Sequence, residues 1–239
     1  MTISIITLFP EVFETYLSTS ILGRAQKKGK VTFELINLRD FGEGKHQIVD
    51  GKPYGGGPGM LLRADILAKA WSSIVDRKSL TKNEKRKTIL MSASGTPYKQ
   101  SKARELCKLN HLIIICGHYE GVDQRFIDKY VDDEISIGDF VLTGGEIPAI
   151  IIADSITRLI PGVLKKPEAI LNESFSELTT NNSKLLLEGP QYTRPDAFEG
   201  LKVPKVLLSG NHGKVDKWRK KESLHKTKKI RPDLLTIEK

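Results

Sequence analysis

The sequence predicts an α/β domain on a mostly parallel sheet, then a linker and a small helical unit, on three observations. Short apolar runs rich in β-branched residues alternate with helical patterns as far as Pro161-Gly162. The next stretch turns polar, contains "TTNNS" and holds no sustained period. From Tyr192 onward, short helical patterns return among Pro195, Pro204, Pro232 and a run of cations. The expected division is therefore 1–163, a linker over 164–184, and 185–239.

Strands are expected at 3–9, 31–38, 88–92 and 112–116, with a shorter one at 134–137, because each is an apolar run too short for a buried helix. Helices are expected at 11–18, 62–75, 99–109, 124–130 and 146–159, the last closed by Pro161-Gly162. In the final unit, helical patterns centre on Ala197, on 215–222 and on Leu234.

Charge points to a partner. The chain of 239 residues has a formal net charge of +9, which favours a polyanion. Nine Lys or Arg between residues 213 and 232 face Asp216 and Glu222, so the excess gathers in one stretch. Trp218 stands there beside Arg219, Lys220 and Lys221, which sets a stacking surface next to phosphate-binding charge, although a solvated charged face has the same composition. Cys107 and Cys116 have neither CxxC spacing nor a zinc-like His partner, which fits a reducing cytosol. The most apolar segment, 147–164, is interrupted by Asp154 and Arg158, so a soluble, cytoplasmic protein without a membrane span is expected.

Three glycine-rich stretches are candidate sites. "PYGGGPGML" lacks the Lys-Ser/Thr of a phosphate loop and the spacing of a dinucleotide fingerprint. It reads either as an ordinary turn or as a shaped loop whose backbone approaches a flat ligand, with Tyr54 and Pro58 as walls. "IICGHYEGVDQRF" ends a strand at Cys116-Gly117 and starts a helix that Asp123 can cap; the carboxyl ends of strands are where α/β proteins hold ligands. His118 and Glu120 fall short of a metal constellation. "SIGDFVLTGGEIPA" brackets an apolar loop with Gly138, Gly144 and Gly145 before Glu146 opens a helix, which suits an adenine or a plain β-turn. Asp154 and Arg158, at i,i+4 spacing, read by default as an ion pair.

In series with "LFPEVF" from Leu8, "GRA" from Gly23, "RDF" from Arg39, "RLIPGVL" from Arg158, "YTRP" from Tyr192 and "VLLSGNH" from Val206, these stretches resemble the bacterial tRNA (guanine-N1)-methyltransferases of the TrmD type, in the SPOUT class. The resemblance implies a SPOUT-type parallel sheet with a deep trefoil knot, a helical tRNA-binding domain, and a homodimer with active sites across its interface. It implies methyl transfer from S-adenosylmethionine to N1 of the guanosine immediately 3′ of the tRNA anticodon, with no DNA partner and a Mg²⁺ requirement for which the sequence offers no ligand cluster.

By the same resemblance, the cofactor would meet Leu90, Met91, Ser92 and Gly95, then Gly117, Glu120 and Gly121, then Ser136, Ile137, Gly138, Leu142, Gly144 and Gly145. The guanine would lie against Pro58 and Gly59 with Tyr54 and Glu120 beside it, and the RNA would contact Trp218 and Arg219. Arg158 is the implied cation at guanine O6. Glu173 is the implied base, standing in "NESF" where the family has Asp, a change that extends the carboxylate by one methylene. Further departures are "SASG" from Ser92 in place of "SPQG" and His118 where Arg is frequent. A noncatalytic RNA-binding module and a ribose 2′-hydroxyl methyltransferase are the competing readings.

Overall fold

The computed structural model describes residues 1–77, 85–166, 170, 173–177 and 185–236. The chain divides into two compact units, Met1–Lys165 and Lys166–Lys239.

The first unit begins with strand β1 (Thr2–Thr7), helices α1 (Glu11–Ser18) and α2 (Ser20–Lys27), and strand β2 (Thr32–Asn37). The short strands β3 (Asp50–Gly51) and β4 (Leu61–Leu62) flank the first glycine-rich loop, and helix α3 (Ala64–Arg77) follows. Then come β5 (Arg86–Pro97), α4 (Gln100–Leu106), β6 (His111–Cys116), α5 (Gln124–Tyr130), β7 (Asp133–Ser136) and α6 (Glu146–Thr157). The central sheet has the order β2-β1-β6-β5-β7, and every neighbouring pair in it is parallel.

Strand alternation distributes the core. Ile3, Ile5, Leu112, Ile114, Ile89 and Met91 face one apolar cluster with α1, α2 and α6, while Ile6, Ile113, Ile115 and Leu90 face a second with α3 and α5. Successive side chains point to opposite faces, so an unbroken apolar run is what a sheet covered on both sides demands. The run His111–Cys116 is buried throughout.

Helix α5 starts where Asp123 accepts from the backbone N–H of Arg125 at 3.0 Å, as its sequence position suggests. Three features differ from the sequence reading. Helix α2 was not expected, because Ser20, Gly23 and Gln26 obscure its apolar stripe of Leu22 and Ala25. The third expected strand runs on to Pro97, since Thr96 and Pro97 resume pairing with β7 after an irregularity that begins at Met91. Helix α3 starts at Ala64 rather than Leu62, because β4 uses Leu61 and Leu62 to pair with β3.

In the second unit, β8 (Ser176–Glu177) pairs antiparallel with β9 (Leu185–Leu186), and β10 (Ala197–Phe198) with β11 (Leu201–Lys202). The helical pattern around Ala197 is therefore a hairpin, its turn formed by Glu199 and Gly200 at positive φ. Helix α7 (His212–Ile230) is far longer than the expected 215–222: its lysines lack apolar periodicity but are good helix formers, and Asn211 caps it by accepting from Lys214 N–H at 3.0 Å. The "TTNNS" run lies outside the described residues. Among the described residues no helix is long and apolar enough to cross a membrane.

Candidate active site

The parallel strands of the first unit end together, and the three glycine-rich stretches meet where they end. The turn after β6 is the hub. On one side it is stitched to the "GGGPG" loop: Glu120 N–H donates to Met60 O at 3.0 Å, Leu62 N–H to Gly121 O at 2.9 Å, and Asp123 N–H to Leu62 O at 3.0 Å. On the other it takes up the third loop, with Gly145 N–H donating to Gly117 O at 2.8 Å and His118 bridging Gly144.

The "GGGPG" loop is a shaped structure. Gly57 and Gly59 have φ values of 120° and 80°, which side-chain-bearing residues rarely adopt. At Gly59 space is also lacking, since a Cβ there would run into the Glu120 carboxylate. Pro58 is exposed beside it, and Tyr54 stands 97% exposed on the same loop. Tyr119 takes φ 59°, a strained state of the kind that accumulates at functional turns.

The expected cofactor residues surround the hub unevenly. Leu90 and Met91 are buried in the sheet, and Gly117 lies so close to Met91 O that an added Cβ would sit 3.2 Å from it. Gly145 packs on the Cys116-Gly117 backbone with no room for a Cβ. Gly121 closes the turn. Ser136 Oγ donates to Gly138 O at 3.0 Å and so folds the start of the third loop. Ile137 is half-buried against the core, whereas Leu142 at the tip is exposed with Phe140 and Val141. Ser92 Oγ pairs with Ser94 Oγ at 2.9 Å, and Gly95 presses on the backbone of Glu134 and Ile135.

Arg158 stands apart from this group. It caps the C-terminus of α6, whose 12 residues make it ~18 Å long, while Gly145 caps the other end. Within one chain the expected cation and the glycine cradle therefore occupy opposite ends of a helix. Asp154, the expected ion-pair partner of Arg158, accepts from Tyr16 Oη at 2.6 Å. Glu173 belongs to the second unit, next to a hairpin in which Phe175 N–H donates to Leu186 O at 2.8 Å and Glu188 N–H to Ser174 Oγ at 3.0 Å. Trp218 and Arg219 lie on α7, where Trp218 meets Tyr192 with ring centroids 6.2 Å apart.

Sequence reasoning missed Glu146 and Thr7. Glu146 is only 7% exposed, and its Oε1 accepts from Thr7 Oγ1 at 2.8 Å. Thr7 Oγ1 in turn accepts from Phe9 N–H at 3.0 Å, so one hydroxyl ties the end of β1 to the start of α6 and the third loop. A lone Glu opening a strongly apolar helix was the available signal. Beside it the Cys116 thiol is pushed well up, first by burial and then by the Glu146 charge.

The loops suit a nucleoside-bearing cofactor. Exposed Leu142 gives an apolar wall, the glycines let backbone come close, and His118 Nδ1 is buried without a hydrogen-bond partner among the described residues. Among the described residues no three His, Cys, Asp or Glu side chains gather as a metal site.

The family model described as tRNA (Guanine-1)-methyltransferase TrmD matches residues 1–237. The chain is 51% identical to the tRNA (guanine-N(1)-)-methyltransferase of Bacillus pumilus over 235 residues, 98% of this chain and 92% of that protein. It is 48% identical to the same-named protein of Bacillus subtilis over 98% of this chain and 92% of that one. With that of Dictyoglomus turgidum it shares 51% over 98% of this chain and 89% of that one.

Proposed function

The chain belongs to the tRNA (guanine-1)-methyltransferase family, and from that premise we infer how its own residues methylate N1 of a tRNA guanosine. We assign the target to the guanosine immediately 3′ of the anticodon and the donor to S-adenosylmethionine. The observation that carries this is the meeting of the three glycine-rich loops on the turn 117–121.

Gly117, Gly121, Gly138, Gly144 and Gly145 would cradle the cofactor, with Leu142 and Ile137 against its adenine and Leu90, Met91 and Ser92 at its floor. S-adenosylmethionine, when bound, supplies an electrophilic methyl group. The target base is placed against Pro58 and Gly59, and the exposed Glu120 side chain, which packs on Gly59 in the free protein, turns aside to lie beside it. Guanine N1 is a poor nucleophile while it holds its proton. The Glu173 carboxylate accepts that proton, and the Arg158 guanidinium donates to O6, where negative charge gathers as the proton leaves. Holding these groups in register is the enzyme's larger contribution.

The helix length that separates Arg158 from the cradle supports a homodimer in which each site takes its cation from the partner chain. Tyr16, Ile147 and Ile151 are exposed on α1 and α6, a surface suited to burial against a second copy. The SPOUT knot is proposed from the family membership; the hydrogen bond from Gly145 N–H to Gly117 O, which joins the end of β6 to the start of α6, is compatible with it. We place the protein in the cytoplasm, where its substrate resides, and assign no residue to Mg²⁺.

The deciding experiment incubates the protein with S-adenosylmethionine and unmodified tRNA carrying GG across the anticodon boundary. Nucleoside mass spectrometry should find 1-methylguanosine at that site. A folded protein that yields none, or that yields a 2′-O-methylated nucleoside instead, overturns the assignment.

A further inference from the structure

The second unit carries a groove of about 370 Å³ whose lining includes Tyr192, Arg194, Asp196, Leu208, Trp218 and Arg219. The chain builds it deliberately. The segment after β9 runs along α7, with Leu187 N–H donating to Thr227 Oγ1 at 2.9 Å, Ser223 Oγ donating to Leu187 O at 2.5 Å and Lys226 Nζ to Glu188 O at 3.0 Å. This anchoring delivers Tyr192 beside Trp218. Val215, Trp218 and Arg219 share one face of α7 at i, i+3 and i+4, so the helix adds an apolar wall and a cation together.

The two rings are tilted by 54° with centroids 6.2 Å apart, which makes them a corner, not two jaws. Tyr192 keeps 48% of its surface exposed. Arg194 is exposed, with no ion-pair partner among the described residues, and Arg219 reaches Asp216 only at 4.0 Å, too loosely to neutralise it. Asp196, on the same wall, repels phosphate.

From this arrangement we infer that the groove seats one unpaired, unstacked nucleotide of the bound RNA, its base against the Tyr192–Trp218 corner and its phosphate toward Arg194 and Arg219. A base in a duplex keeps both faces stacked and its edge paired, so only a loop or single-stranded nucleotide can offer a free face. Asp196 orients the nucleotide, because its charge turns the phosphate toward the arginines and leaves the base edge facing the carboxylate. The inference rests on the tRNA reading above and adds the kind of nucleotide recognised and where.

The test uses the full chain, a labelled anticodon stem-loop and a blunt duplex of the same stem. Tyr192→Leu and Trp218→Leu should each weaken stem-loop binding about tenfold and leave the salt slope unchanged. Arg194→Gln should lower that slope by about one. The duplex should bind weakly and be indifferent to either aromatic variant. Trp218→Phe, with circular dichroism and urea midpoint matching wild type, should recover most of the affinity and so exclude misfolding. Unchanged stem-loop affinity in both Leu variants, equal loss on duplex and stem-loop, or a change in sedimentation in place of RNA affinity overturns the groove assignment. If wild type makes 1-methylguanosine while these outcomes occur, the groove alone fails; if wild type makes none, the tRNA reading fails first.

Discussion

Gly59 and Glu120 pack on each other: a Cβ on Gly59, which sits at φ 80°, would meet the Glu120 side chain, and Glu120 N–H is held to Met60 O at 3.0 Å. A loop and a turn some sixty residues apart in sequence are thus matched atom to atom.

Gly59→Ala should damage catalysis while leaving the protein folded. The substitution forces an alanine into positive φ, at roughly 1–2 kcal/mol, and displaces Glu120 from the proposed base slot. Steady-state assays with tRNA should show kcat/KM lowered at least tenfold under conditions where the variant is fully folded, while the urea midpoint falls by only the equivalent of that ~1–2 kcal/mol of strain. Unimpaired turnover would remove this slot from the site.

Glu173→Gln should leave tRNA and cofactor binding within about twofold of wild type and reduce single-turnover methylation by about 10²–10⁴, the usual contribution of a positioned acid or base. Arg158→Ala should lower the same rate constant. Mixed dimers of the two variants provide a sharper check: if Arg158 serves the partner's site while Glu173 serves its own, mixing the two inactive variants should restore one active site in each heterodimer.

Thr7→Val should destabilise the first unit, since it takes the hydroxyl donor from buried Glu146 and the acceptor from Phe9 N–H. A loss of about 1–3 kcal/mol is expected for the orphaned groups, read from urea unfolding. Thr7→Ser should restore most of it. A Val variant as stable as wild type would mean water replaces the hydroxyl.

Thiol chemistry should separate the cysteines. Burial raises both thiols, Cys116 well beyond Cys107, and the thiolate is the reactive form. With iodoacetamide at pH 8, native protein should be alkylated slowly at Cys107 and not at Cys116, by peptide mass spectrometry. Both should react once unfolded.

Asp123 should contribute to the acid limb of stability. Its carboxyl is held low, first by the Arg125 side chain, opposed by burial. A carboxyl whose folded pKa is depressed stabilises above its unfolded value, about 3.9, and loses that contribution as pH falls through the folded one. Asp123→Asn should therefore lower the urea midpoint near neutrality and flatten its fall below about pH 5, where the wild type loses this contribution.

Much of this was legible in the sequence because the relevant forces are local. Unbroken β-branched runs such as His111–Cys116 suit a covered parallel strand wherever they occur, Asp123 announced its helix, and glycine at 57 and 59 answers a backbone demand. Position 197 misled because a two-residue hairpin strand has no period to read. The expected extent of α7 falls short because lysine carries helix propensity without amphipathic pattern.

By itself, the sequence determined the main strands and most helices of the first unit, the glycine-dependent turns and, through its ordered motifs, the family. Only the tertiary structure decided that Gly59 abuts Glu120, that Thr7 supports Glu146, that Tyr192 meets Trp218, and that Arg158 lies a full helix away from the cradle. Those relations depend on strand order and helix length, which bring distant residues together or hold them apart. Periodicity along a chain records which face a residue turns to the core, and carries no information about what meets it there.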